Sequence, residues 1–176
     1  SEFLHAFICI SKKTEDNVCA RFKLSEKCFL LYPTIKPFPI GSRNRVESNA
    51  EKIVFGRLGR LTEGKGNEDL IMAFSMARKR GYKIELIFAG EGEDREKLKQ
   101  LAESLGVAEF ILFTGFMARE EFFPLVDVCV SPSYHEGFPL VLLEAMYAKK
   151  SIIATKVGGV TEMLDHNCAL LIEAGD

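Results

Sequence analysis

SPSYHEGFPLVLLEAMY, residues 131–147, is the stretch on which the reading of this chain turns. It follows an apolar run, Asp127 to Val130, that reads as a strand, and it leads into an apolar helix. Two carboxylates, Glu136 and Glu144, stand eight positions apart, with Gly137 and Pro139 between them. Glycine lets a loop bend, and proline suits the first turn of a helix. One acid is therefore expected in a loop and the other in the helix, both near its N-terminal end. The first N–H groups of a helix have no internal partner and its dipole is positive there, so that end attracts anions. The chemistry implied is a phosphate flanked by two acceptors able to hold sugar hydroxyls.

Outward from this stretch, residues 51–176 alternate between strand and helix patterns. Strands are expected at Ile53–Leu58, Lys83–Ala89, Phe110–Thr114, Asp127–Val130, Ser151–Ala154 and Ala169–Ile172. Helices are expected at Asn67–Arg80, with Leu70, Ala73, Phe74 and Ala77 inward, and at Asp94–Leu105, with Leu98, Leu101, Ala102 and Leu105 inward. Gly81 and Gly106 stop them, and a shorter helix covers Arg119–Val126. Near-continuous apolar strands separated by helices predict an α/β fold: a doubly wound parallel sheet covered on both faces. Ligands of such sheets bind outside the carboxyl ends of the strands, where the glycine-rich turns of this chain fall.

The first of these turns, Gly56 to Gly66, carries Arg60 and Lys65 just before a helix. A guanidinium fork and an ammonium point charge together can hold a diphosphate and offset charge on a leaving group. From spacing alone, both serve equally as solvated loop charges. Gly56-Arg57-Leu58 repeats the letters of Gly59-Arg60-Leu61 but falls inside the strand, too far from Lys65 to act as the turn. Ala89-Gly90-Glu91-Gly92 is a second turn, and its default reading is structural. Val157 to Glu162, with Gly158 and Gly159, suits a structural or a binding turn equally. His135 precedes Glu136, but one histidine beside an acid is not a catalytic geometry.

The E-x7-E spacing, the preceding Pro-Ser and the Glu-Gly-Phe-Pro resemble the signature of retaining, nucleotide-sugar-dependent glycosyltransferases of the GT-B fold (family 4, the group 1 type). Residues 59–66 fit that family's G-R-L-x-x-x-K-G. The resemblance implies a Rossmann-like domain, the C-terminal and donor-binding half of a GT-B enzyme, over residues 51–176, truncated at its end. Residues 1–50 would then be the end of an N-terminal domain and the interdomain linker. The implied activity is retaining hexosyl transfer from a nucleoside diphosphate sugar, in polysaccharide biosynthesis or a related pathway. Carried over, Arg60 and Lys65 would hold the diphosphate beside Gly59. Glu144 would take the ribose hydroxyls, and Glu136 would contact the transferred sugar and stabilise its transition state. Amides around Gly137, Phe138 and Pro139 would meet the sugar or the phosphates. Gly90 would border the nucleotide, with Ile111 and Leu112 beside its base. No metal and no further cofactor is implied. The partners are the nucleotide sugar, the N-terminal domain and an acceptor of unknown class. The implied location is cytoplasmic, with peripheral contact at the membrane's cytoplasmic face. The isolated fragment is expected to bind donor weakly and transfer nothing. A scaffold module on the same fold and a sugar-nucleotide epimerase-like domain are the competing readings. One departure from the pattern is Lys149, where the family has a helix-ending glycine.

Composition sets the bounds. A formal net charge of −2 over 176 residues provides no field to recruit nucleic acid or a membrane surface. No apolar run reaches the ~20 residues of a membrane helix. Cys9, Cys19, Cys28, Cys129 and Cys168 form no C-x-x-C pair, which argues for reduced thiols rather than disulfides or zinc. Before residue 51 the pattern is less regular. It gives a strand and loop in Phe3–Ser11, a short helix in Glu15–Phe22 and a strand in Cys28–Tyr32. Pro33, Pro37, Pro39 and Gly41, followed by the polar run Ser42–Ala50, read as a linker.

Overall fold

The computed structural model describes residues 6–22, 27–41 and 52–176. Part of the expected first strand and the whole polar run Ser42–Ala50 lie outside the described residues. The chain opens with a small unit of its own: β1 (Phe7–Cys9), α1 (Lys12–Phe22) and β2 (Cys28–Leu30), with β1 and β2 paired in parallel. The register sets Phe7 opposite Cys28 and Cys9 opposite Leu30, so these side chains share one face. That face is the one α1 covers, since Phe22 of the helix stacks on Phe7 with ring centroids 6.1 Å apart. Cys9, Cys19 and Cys28, scattered in sequence, therefore converge. Contact with the Cys19 thiol, and after it burial, pushes the Cys28 thiol up to about 12. All three are free thiols.

The main sheet follows as β3 (Ile53–Leu58), β4 (Ile84–Ala89), β5 (Ile111–Gly115), β6 (Val128–Ser131), β7 (Ser151–Thr155) and β8 (Leu170–Ile172). All neighbours pair in parallel, in the order β5-β4-β3-β6-β7-β8. The direction of winding reverses between β3 and β6, and such a switch point leaves a crevice at the carboxyl ends. Helices α2 (Asn67–Lys79) and α3 (Arg95–Ser104) cover one face. Their core holds Ile71, Phe74, Leu86, Phe88 and Leu98. Helices α4 (Arg119–Phe122), α5 (Leu140–Tyr147) and α6 (Val160–Met163) cover the other, around Val54, Phe122, Phe123, Cys129, Leu142 and Ile152.

One inward face differs from expectation. On α2 the fully buried positions are Asn67, Ile71, Phe74 and Ser75, while Ala73 is exposed and Leu70 and Ala77 are half-buried. The reason is the uneven cover of the sheet. Leu70, Ala73 and Ala77 overhang an open apolar groove of about 200 Å³, floored by Val130, Ile153 and Ile172. The short helix after β5 also ends early: α4 stops at Phe122, and Phe123–Leu125 form a 3₁₀ turn around Pro124.

Gly56 lies inside β3, as the reading of the repeated Gly-Arg-Leu requires. A Cβ there would come within 2.3 Å of Val126 and 2.7 Å of Phe122, so only glycine lets that helical layer seat. The proline-rich stretch is not a free tether. Phe38 is buried, stacked on Phe123 at 5.9 Å and against Tyr147 at 5.0 Å. The N-terminal unit is tied down a second time by Glu162. Its carboxylate accepts from the Lys12 and Lys13 amides, at 2.7 and 2.9 Å, and from the Tyr32 hydroxyl at 2.9 Å.

At the end of α5 the cap that a glycine would normally make forms with lysine instead. Lys149 takes φ 54°, with its N–H on Met146 O and the Lys150 N–H on Ala145 O, each at 3.0 Å. This is the Schellman arrangement. A side chain at positive φ costs roughly 1–2 kcal/mol, part of which glycine returns through its looser unfolded chain. Lys149→Gly should therefore raise unfolding stability by about 0.5–1 kcal/mol, read from urea titrations.

The Glu162 clamp should be sensitive to acid. Burial pushes its carboxyl up, but the Lys13 and Lys12 amides, the Tyr32 hydroxyl and the Lys12 charge together hold it below its ordinary 4.5. A depressed carboxylate stabilises fully above its unfolded value and loses that contribution as pH falls through the folded value. Protection of the Lys12 and Lys13 amides from exchange should fall below about pH 4.5 more than that of core amides, and Glu162→Gln should remove that difference.

Candidate functional site

The crevice between β3 and β6 is where the turns after those strands separate. The turn after β3 carries Gly59, Arg60 and Lys65, and the loop after β6 carries Ser133, Glu136, Gly137 and Phe138. The two meet directly. Lys65 Nζ lies 2.8 Å from Glu136 Oε1, and the Ser133 hydroxyl donates to the same oxygen at 2.8 Å. Both members of the pair are largely enclosed, with side chains 20% and 16% exposed, so the contact is screened less than a surface pair. Ser133 is itself fixed, because its carbonyl accepts from the buried Thr155 hydroxyl at the end of β7. Lys65 and Glu136 thus share one rim of the sheet.

Backbone contacts hold the loops in place. Gly66 has φ 64°, and a Cβ on it would lie 2.0 Å from the Pro132 carbonyl oxygen. The Tyr134 N–H bonds the Gly64 carbonyl at 2.9 Å beside it. Gly158 has φ 51°, and its Cβ would lie 1.6 Å from the Glu136 carbonyl oxygen. The Gly159 N–H donates to Gly137 O at 2.9 Å. The glycine pair that read equally as structure or binding thus seats the Glu136 loop.

Pro139 precedes α5 as its N-cap rather than forming its first residue, and it is buried. No side chain caps this N-terminus. Phe138 packs against Tyr32 of the N-terminal segment, with ring centroids 5.4 Å apart, and Gly137 is exposed. Glu144 lies in the middle of α5, where Arg119 Nη1 donates to its Oε1 at 2.8 Å. Arg119 is thereby the cation of the second acid, a role its place at the start of a short helix did not announce. The Glu144 contact, followed by Glu120, raises the Arg119 guanidinium above its ordinary value, and the same group lies 4.4 Å over the Phe38 ring. Arg60 is exposed and has no ion pair among the described residues.

Gly90 also stands at the rim, with its N–H on the Gly115 carbonyl at 2.7 Å. Ile111 and Leu112 do not. They begin β5, whose last residue Gly115 pairs with Ala89, so they lie about 10–13 Å below the rim at 3.3 Å per residue. The rim position next to Gly90 is taken by Gly115 and by Phe116, whose side chain is 85% exposed. His135 is exposed and makes no part of the Lys65–Glu136–Ser133 cluster. A cavity of about 370 Å³ opens on the outer side of the same turn. Glu63, Glu68, Asp69 and Asp94 line it against a single Lys97, a balance that repels a diphosphate.

Residues 41–176 match the family model described as glycosyl transferases group 1. An uncharacterized glycosyltransferase of Methanocaldococcus jannaschii is 34% identical over 176 residues, covering 90% of this chain and 44% of its own length. A GDP-mannose-dependent α-(1-6)-phosphatidylinositol monomannoside mannosyltransferase of Mycobacterium tuberculosis is 34% identical over 128 residues, 67% of this chain and 33% of its own. Among solved structures, Anabaena HepE in complex with UDP and glucose superposes with a TM-score of 0.84 at 22% identity, over 99% of this chain and 51% of that one. The chain spans less than half the length of these curated relatives. Among the described residues no helix is long and apolar enough to cross a membrane.

Because a side chain at residue 158 would collide with the Glu136 carbonyl, Gly158→Ala should displace the acid's loop. The expected cost is about 2 kcal/mol or more in urea unfolding, with the largest amide shift changes at 135–138 and 158–160 rather than in β4 or α3.

Proposed function

The chain belongs to the glycosyl transferases group 1 family, and on that premise we propose that it is the donor-binding domain of a retaining glycosyltransferase that uses a nucleoside diphosphate sugar. The observation that carries this reading is the Lys65–Glu136 contact at the switch point, 2.8 Å between residues 71 positions apart. It brings a cation able to hold a diphosphate and an acceptor able to hold sugar hydroxyls to one spot.

Lys65 and Glu136 satisfy each other's charge. An arriving diphosphate draws Lys65 away from Glu136 and takes the unpaired Arg60 as its second cation. Charge-assisted contacts of this kind hold the donor and grow stronger as negative charge develops on the leaving nucleoside diphosphate. Glu136, released from Lys65 but still held by Ser133, then accepts from the sugar hydroxyls. It also stabilises positive character at the anomeric carbon, as carboxylates do in glycoside hydrolysis. The uncapped N-terminus of α5 and the amides of Gly137 and Phe138 supply donors beside it. Glu144, oriented by Arg119, is the acceptor for the ribose. The exposed Phe116 ring, with Gly90 and Gly115, takes the base side in place of Ile111 and Leu112. Transfer itself is proposed for the longer protein, at the cytoplasmic side of a membrane or in the cytoplasm, with the acceptor entering opposite this domain.

Calorimetric titration of this chain with UDP, GDP and ADP tests the reading. One of the three should bind measurably, and Arg60→Ala with Lys65→Ala should weaken it at least a hundredfold. A parent chain that binds none of them refutes the donor site.

A further inference from the structure

Arg57 stands in β3 one turn of sequence before the proposed diphosphate ligands, and it is 3% exposed. Its position in a repeated Gly-Arg-Leu made it look like a spare copy of Arg60. The structure gives it a different character. The guanidinium donates from Nη1 to the Leu58 carbonyl at 2.6 Å, and its Nε is buried without an acceptor. No carboxylate pairs with it among the described residues. It lies directly beneath the turn after β3, since a Cβ on Gly59 would fall 2.6 Å from Nη1 and 3.4 Å from Nη2. Burial holds its guanidinium below its ordinary value, with Cys129 and then Glu136 acting the other way.

A buried, unpaired charge is strongly unfavourable in a folded chain. An apolar residue of similar length would fill the same space without that cost, as Leu86 and Phe88 do on the neighbouring strand. Perturbed buried charges of this kind cluster at functional sites. We propose that Arg57 is a buried third cation of the donor site, a positioning residue that acts on the diphosphate through the Gly59–Arg60 turn and the field beneath it. The inference rests on the donor reading above. Arg60 and Lys65 touch the ligand, whereas Arg57 lies under the floor and makes the pocket positive before anything binds. Because it is enclosed, its field is little screened by salt.

The test is the neutral Arg57→Met in this chain, with Arg57→Gln as a second neutral variant and Arg57→Lys as the charge-keeping control. Thermal unfolding and NMR titration are read for each, with whichever of UDP, GDP and ADP the parent binds best and with the matching nucleoside. Through an effective dielectric near 20, removing a unit charge about 10 Å away weakens binding by roughly tenfold for each negative charge on the diphosphate. Arg57→Met should melt at or above the parent's temperature, bind the nucleoside diphosphate at least tenfold more weakly and bind the nucleoside as before. Arg57→Lys should recover most of the loss. Diphosphate affinity within twofold of the parent in either neutral variant overturns the proposal, as does an equal loss for nucleoside and diphosphate. Failure of both neutral variants to fold also overturns it, because Arg57 would then be a structural residue. A parent that binds none of the three nucleotides refutes the donor reading instead, a result separate from the Arg57 outcome.

Discussion

The contact between Lys65 and Glu136 depends on the reversal of winding between β3 and β6. At that point the turns of two adjacent strands leave in opposite directions, toward helices on opposite faces. A gap opens there that neither helix fills. The chain closes it with one ion pair and one hydroxyl, rather than with apolar packing. Everything else near the rim supports that pair: Thr155 holds Ser133, Pro132 presses on Gly66, and the Gly158–Gly159 turn carries the loop that bears the acid.

The electrostatic layout around this point is graded by depth. Arg60 is in water, Lys65 is mostly enclosed and Arg57 is buried. The acids are treated differently from one another. Glu136 is held by Lys65 and the Ser133 hydroxyl, while Glu144 is held by an arginine that is also packed on an aromatic ring. A domain built for stability alone would place apolar side chains at the deep position, so the arrangement sets aside some stability for charge in a fixed place.

Much of this was legible in the sequence. The apolar strand runs are local signals, and each rim turn announces itself by glycine, so the sheet and the opposed positions of Lys65 and Glu136 follow from short patterns. What was not legible depended on distant partners. The inward side of α2 is set by the half of the sheet that α2 and α3 leave uncovered, which no window of α2 contains. Phe38 looks like linker until Phe123 and Tyr147 are seen around it. Arg119 becomes a partner of Glu144 only when α4 is laid beside α5. Ile111 and Leu112 carry the right apolar character, but their distance from the rim depends on the register with β4. Arg57 illustrates the limit most clearly: its letters repeat a motif, while its burial comes from the strand on which it stands.

The way the rim loops touch has an evolutionary consequence. At Gly66 with Pro132 and at Gly158 with Glu136 an added Cβ would strike a main-chain oxygen, so these two approaches need the absence of a side chain rather than a particular side-chain fit. Provided a few glycines stay, neighbouring residues are free to diverge without unseating the scaffold. Such a framework keeps its fold while its sequence drifts, which accords with a superposition as close as 0.84 at an identity as low as 22%.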